Sequence, residues 1–497
     1  MKPIFFPMIA AAAILTLSGC KPAAQPELSD WAVKTQADLQ AAHNIMLENH
    51  PGPKDVRNPK FNKQANASLE NAMNLATRVT DEAEYGAALL AYTAGFRDGH
   101  FGVFSKAHNT GGVDYFWPGM LPAWRAGQVR ISHTEPAQSE LLGSEILSCD
   151  DRPVKELILE HVFQFDTGKP DQDSYWARKS HQLFLSSGNP FISRLENCDF
   201  RLTSGETVKR PLNWQKAGDE VFHTLRWKTA FGMRPKIGMT EIRPGEFWIN
   251  LPDFSPDEAG IAQNRAIFAE IIQRRAELRD TKSIVIDMRG NQGGASTWGG
   301  EMIEALWGEA YPLSREVDHG TYVEWRLSDG NITNLKDIFD YLIENGHEEM
   351  ANDYFSVILE GAKLAHAQGD DLYKEPDFND PDDETVEKQN NVTNPVKTPV
   401  YLLTHGTCVS ACLDFADALF ELEGVTHIGY PTGSDTNYME IRQQDLPSGL
   451  GVIAIPTKVY RNRARKSGAY YEPLHQYDGF DWSDEAIHAW AKTVTQP

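Results

Sequence analysis

Apolar residues recur at three- and four-residue spacing through much of residues 30–97, notably over 31–47 and 66–77, and this period predicts amphipathic helices. The stretch from about 112 to 218 is different, with shorter apolar runs broken by polar turns, and predicts strands. Within it Gly143-Ser144-Glu145-Ile146-Leu147 leads to the tight polar turn Asp150-Asp151-Arg152-Pro153-Val154, and a helix is predicted from Lys155. From about 235 strand and helix periods alternate. Residues 246–250 predict a short apolar strand ending in Leu251-Pro252-Asp253-Phe254, 256–277 a helix, and 283–288 a strongly apolar strand closed by a glycine-rich turn. Residues 400–404 predict another buried strand, followed by a turn and a helix over about 411–422. Strand–turn–helix repeats imply a sheet covered by helices. An insert, helical and then acidic, interrupts this part over about 335–395.

The first twenty residues break from these patterns. Lys2 precedes an apolar run of about 14 residues, 4–17, nearer in length to a signal-peptide core than to a membrane span of about 20. The run ends in Leu17-Ser18-Gly19-Cys20, which resembles a bacterial lipobox, where the cysteine is acylated and becomes the mature N-terminus. An ordinary signal peptide with an incidental Cys20 is the alternative. The expectation is a signal peptide over 1–20, a tether over 21–30, and an exported chain lipid-anchored to a bacterial membrane facing the periplasm. Lys21 stands where an Asp would favour inner-membrane retention, so the outer membrane is the default.

Composition narrows the function. The 497 residues exceed one compact core and suggest two or three domains. Acidic residues outnumber basic ones, 70 to 47, and no Lys/Arg stripe stands out, which argues against a nucleic-acid partner. Past Cys20 four cysteines remain, with three possible pairings. Cys149 and Cys198 share one predicted module, which favours their pairing in an oxidising compartment. Cys408 and Cys412 flank Ser410 and, if both sit in the first helical turn, are expected to be small packing residues. Asp377 and Asn379 alternate as in a calcium loop, but Pro381 takes the next ligand place and Lys388 that of the bidentate Glu, so a solvated acidic loop is expected. No zinc-type spacing is present, and neither metal nor cofactor is expected.

Two segments carry chemistry. In Gly406-Thr407-Cys408-Val409-Ser410-Ala411 a strand delivers a serine to the start of a helix, where unpaired N–H groups and the helix dipole favour a developing oxyanion. In Ile286-Asp287-Met288-Arg289-Gly290-Asn291-Gln292-Gly293-Gly294 clustered glycines let the backbone approach a ligand closely. A serine at a helix start is usually only a cap, and the glycine segment lacks the Gly-Lys-Ser/Thr ending of a phosphate loop.

Together, in this order and about 115 residues apart, the two segments resemble the C-terminal processing (tail-specific) serine peptidase family. Further pieces fall in the family's order: Phe247-Trp248-Ile249-Asn250-Leu251-Pro252, Gly429-Tyr430-Pro431-Thr432-Gly433, and Leu446-Pro447-Ser448-Gly449-Leu450. The resemblance implies an α/β multidomain chain. A helical N-terminal region spans 31–111, a β-rich PDZ-like domain 112–218, and an α/β (ClpP/crotonase-like) catalytic core 235–497. Many members carry a lysine base in a Gly-Lys-Gly after the Gly-x-x-Thr segment; here the sequence reads Gly433-Ser434-Asp435-Thr436, so that dyad does not carry over. A second branch, resembling tricorn protease, uses a histidine in an early Asp-x-His segment, matched by Asp98-Gly99-His100. An imidazole can take a serine proton near neutral pH. The branch implies Ser410 as nucleophile, His100 as base and a late glutamate as its orienter, for which Glu472 fits best, with Glu440 as rival and Asp478 as structural. His405, close to Ser410, is the rival base. The oxyanion hole would use the Ala411 amide and one from Gly293 or Gly294. The expected function is a serine endopeptidase acting on exported polypeptides through an acyl-enzyme. The alternatives are a ligand-binding protein on the same fold and a cysteine peptidase using Cys408.

Overall fold

The computed structural model describes residues 28–109, 114–378 and 392–495. Three helices come first, α1 (Asp30–Asn49), α2 (Phe61–Ala76) and α3 (Glu82–Ala94), then strand β1 (Gly102–Ser105). Ser29 caps α1 and Asp81 caps α3, each side chain accepting an amide of the first turn. The β-rich module follows with β2 (Met120–Arg125), β3 (Gln128–Thr134), β4 (Glu145–Cys149), helices α4 (Val154–His161) and α5 (Asp173–Lys179), β5 (Asn197–Arg201) and β6 (Thr207–Pro211). Its sheet runs β2-β3-β4-β5-β6, with the two-residue strand Arg152–Pro153 beside β4.

The α/β part has β7 (Gly238–Arg243), β8 (Glu246–Asn250), α6 (Glu258–Gln273), β9 (Ser283–Asp287) and α7 (Thr297–Trp307). Then come β10 (Tyr322–Arg326), α8 (Asp329–Glu344), α9 (Ser356–Ala367), β11 (Leu372–Lys374), β12 (Val400–Thr404) and α10 (Ala411–Phe420). It ends with β13 (Val425–Gly429), β14 (Tyr438–Asp445), β15 (Gly451–Arg461), β16 (His475–Gln476) and α11 (Asp484–Val494). The expected strands and helices of this part stand within a few residues of their predicted bounds.

A central sheet orders β7-β8-β9-β12-β13-β16, parallel from β8 onward. Both of its faces are covered, which is why β9 is buried at every position. Alternate residues face opposite layers. Phe247, Ile249, Ile284, Ile286 and Leu402 join the core under α6, α7 and α10, whereas Trp248, Val285, Leu403 and Ile428 share a core with the β-rich module and α11. The module therefore packs directly against the back of the central sheet.

A second sheet runs β1-β15-β10-β11, with β14 also on β15. It holds the N-terminal region in place: Leu39, Met46, Tyr85 and Phe101 share a core with Tyr438, Ile453, Ile455 and Val459. The insert adds β11 to this sheet and packs α8 and α9 on Trp325. Of the calcium-like loop, Asn379, Asp380, Asp382 and Asp383 lie outside the described residues, as do the signal segment, Cys20 and the tether up to residue 27. No described group of His, Cys, Asp or Glu is placed to hold a metal ion.

Cys149 and Cys198 face each other on β4 and β5 and are disulfide-bonded. Cys408 and Cys412 are bonded as well, which corrects their reading as packing residues. The turn before α10 is not yet helical and brings their Cα atoms to 5.3 Å, within bridging range.

Candidate active site

Strand β12 delivers the segment 405–409 to the head of α10, with Ser410 as the residue before the first helical turn. Ser410 has φ 56° and ψ −131°, a backbone conformation that costs a non-glycine residue on the order of 1–3 kcal/mol. Its hydroxyl makes no capping bond, so the serine is not there as a cap. Its amide donates to Asp435 Oδ2 at 2.5 Å. The next amide, that of Ala411, opens α10 and has no intrahelical acceptor.

The glycine segment after β9 builds the facing wall. Arg289 is buried and pairs with Asp287 at 2.7 Å and with Asp484 of α11 at 2.7 Å, tying the turn to the sheet and to the C-terminal helix. Asn291 donates to Leu251 O at 2.9 Å and accepts the Gly293 amide at 2.9 Å. Gly293, at φ 92°, lies against the nucleophile: a Cβ there would sit 2.6 Å from Ser410 Cβ and 2.8 Å from Val409 O. Only glycine fits. Its amide is engaged by Asn291, so its part in the site is close approach. Gly294, at φ 135°, pairs with Phe254 as an isolated bridge.

His100 is brought in from the N-terminal region, two residues before β1. Its amide donates to Asp98 Oδ1 at 2.9 Å and its ring Nδ1 lies 3.7 Å from the same oxygen. Thr436 donates to the other oxygen of Asp98 at 2.8 Å, linking the His100 loop to the segment that carries Asp435. Burial works to depress the His100 pKa, but the charges of Asp98, Asp435 and Asp414 outweigh it and raise it above the ordinary imidazole value. Asp98 is likewise buried, and His100 nonetheless holds its carboxyl below the usual range. Burial pushes Asp435 up, against the pull of His100, Arg465 and the Ser410 amide.

The structure thus links Ser410 to the His100 loop through residues 435 and 436, Asp435 taking the Ser410 amide and Thr436 donating to Asp98, while Gly293 lies against Ser410. It does not bring Glu472 to His100. Glu472 is exposed and accepts a hydrogen bond from Tyr470 at 3.3 Å. The rival Glu440 pairs with Lys458 at 3.1 Å, and Asp478 accepts from Gln476 at 2.8 Å. The rival base His405 has its Nε2 occupied, accepting the Gly290 amide at 2.9 Å, and burial drives its pKa well below the ordinary value. The carboxylates that do face His100 and Ser410 are Asp98, beside His100, and Asp435, at the Ser410 amide. Both had a signal: one sits two residues before His100, the other where lysine-using relatives place their base. Asp98→Asn is expected to lower kcat on the order of a hundredfold or more, and Glu472→Gln to leave it within about twofold. Steady-state kinetics of the two variants, compared directly, decide between the carboxylates.

Residues 248–470 match peptidase family S41. The structure of mature CPAF complexed with lactacystin is similar over 94% of this chain and 99% of that one, at 15% identity and a TM-score of 0.61. A second structure of mature CPAF is similar over 94% and 97%, at 14% identity and the same TM-score. The photosystem II D1 C-terminal processing protease aligns over 91% and 98%, at 15% identity and a TM-score of 0.35. No curated protein matches the chain. With the serine turn, the glycine wall and this family match in hand, residues 248–470 form a peptidase family S41 domain and the protein is a serine peptidase.

Proposed function

We propose that this endopeptidase cleaves polypeptides with Ser410 as nucleophile, His100 as general base and Asp98 as the group that orients His100. The observation that carries the reading is the strained Ser410 backbone at the head of α10, pressed against a glycine that leaves no room for Cβ. Ser410 Oγ attacks the scissile carbonyl carbon while His100 takes its proton. The carbonyl oxygen becomes an oxyanion, met by the Ala411 amide, with Gly294 as second donor. Collapse breaks the C–N bond, and His100 returns the proton to the leaving amine. Water, deprotonated by His100, then releases the acyl group and restores Ser410. A fluorophosphonate probe should modify the protein on Ser410, as mass spectrometry of the labelled peptide would read; an adduct only on another residue defeats the assignment.

The β-rich module resembles a PDZ-like domain in its order of strand, polar turn and helix, and we read it as one. The catalytic part is read as a ClpP/crotonase-like core. The lipobox supports a chain exported and anchored through Cys20, so that its substrates are exported polypeptides. Cys20→Ser should release the protein from the membrane fraction, and a mature wild-type N-terminus other than a lipidated Cys20 overturns the anchor.

A further inference from the structure

Segment 163–175 of the β-rich module reaches two loops of the active site. Arg97, three residues before His100, donates through Nη1 to the carbonyls of Phe163, Asp166 and Gly168 at 2.8, 2.9 and 2.8 Å. Lys169 Nζ donates to Ser434 Oγ at 2.9 Å. Ser434 Oγ in turn donates to Gln172 Oε1 at 2.8 Å, and Tyr175 donates to the Ser434 carbonyl at 2.9 Å. Ser434 directly precedes Asp435, which holds the Ser410 amide, and Thr436, which holds Asp98.

Three carboxylates act on His100 near this turn, those of Asp98, Asp435 and Asp414. Arg465 faces Asp435 but is engaged by Asp417 and Asp414 at 3.0 and 3.2 Å. His50 faces Asp98, but burial lowers its pKa to about 4, so it is neutral at pH 7. Lys169, half-buried, faces Asp98 and Asp435, with Asp171 as its other acidic neighbour.

We propose that Lys169 is a positioning residue of the peptidase reaction: its ammonium group fixes the Ser434–Asp435–Thr436 turn behind Ser410 and balances the carboxylates around His100. The proposal rests on the assignment of Ser410 and His100 above. Without the cation the cluster takes up a proton at higher pH, on the imidazole or on Asp435, and either uptake silences the site.

The test is kcat and KM of the full chain on a peptide substrate across pH 5–9, for wild type, Lys169→Met, Lys169→Arg and Ser410→Ala. Lys169→Met should lower kcat about tenfold or more with KM little changed, and move the acid limb up by about one pH unit. Lys169→Arg should return the limb to its wild-type place. A wild-type kcat in Lys169→Met, or a reduced kcat with an unmoved limb, overturns the proposal. Should Lys169→Met not fold, Ser434→Ala keeps the cation and removes its tether; it should lower kcat without moving the limb, and an unchanged kcat overturns the proposal. Activity retained in Ser410→Ala would instead show that the underlying site assignment had failed.

Discussion

Ser410→Ala should reduce kcat on the order of a millionfold, leaving a folded protein with no measurable peptide cleavage. The size follows from role: the rival groups beside Ser410 are occupied, His405 being neutral and hydrogen-bonded and both cysteines tied in a disulfide. The fold should survive because the Ser410 hydroxyl caps nothing, and alanine can occupy the same left-handed backbone at similar cost. Thermal unfolding within a few degrees of wild type, alongside lost turnover, is the expected pair of results. Full turnover in the variant would sink the nucleophile, and loss confined to Cys408→Ala would favour a thiol enzyme.

His100→Ala should fall to a residual rate close to that of Ser410→Ala, since members of one catalytic unit are strongly non-additive. The pH profile carries the second half of this prediction. The Asp98, Asp435 and Asp414 carboxylates favour the protonated ring, so the folded-state pKa is raised. A base works only when unprotonated, and activity is therefore lost as pH falls through a value above the ordinary imidazole range near 6.5. An acid limb below that range in wild type, or near-normal turnover in His100→Ala, would remove His100 from the mechanism.

What could be read from the chain was what repeats locally. The β9 and β12 strands announced themselves as short all-apolar runs, and the glycine turn and the serine turn followed each in sequence. Gly293 was legible as a close-approach residue, though not that Asn291 would claim its amide. Which carboxylate lies beside His100 could not be decided from the chain, even though Asp98 stands two residues before it, because the choice is made by three-dimensional proximity among many acidic residues. Glu472 matched a family position yet points to Tyr470, whereas Asp98 and Asp435 converge through Thr436. The Cys408–Cys412 bond was hidden for a related reason: four-residue spacing signals a helix face, and only the non-helical turn at Ser410 changes that geometry.

The pairing of β1 with β15 has a consequence for biosynthesis. His100 is seated by a strand whose partners, such as Ile453 opposite Val103, lie about 350 residues further along the chain. At a synthesis rate of roughly 5–20 residues per second, the histidine would wait about 20–70 s for the strand that places it. With His100 as the base, a chain that has made Ser410 but not β15 would leave that histidine unseated and should cleave no peptide.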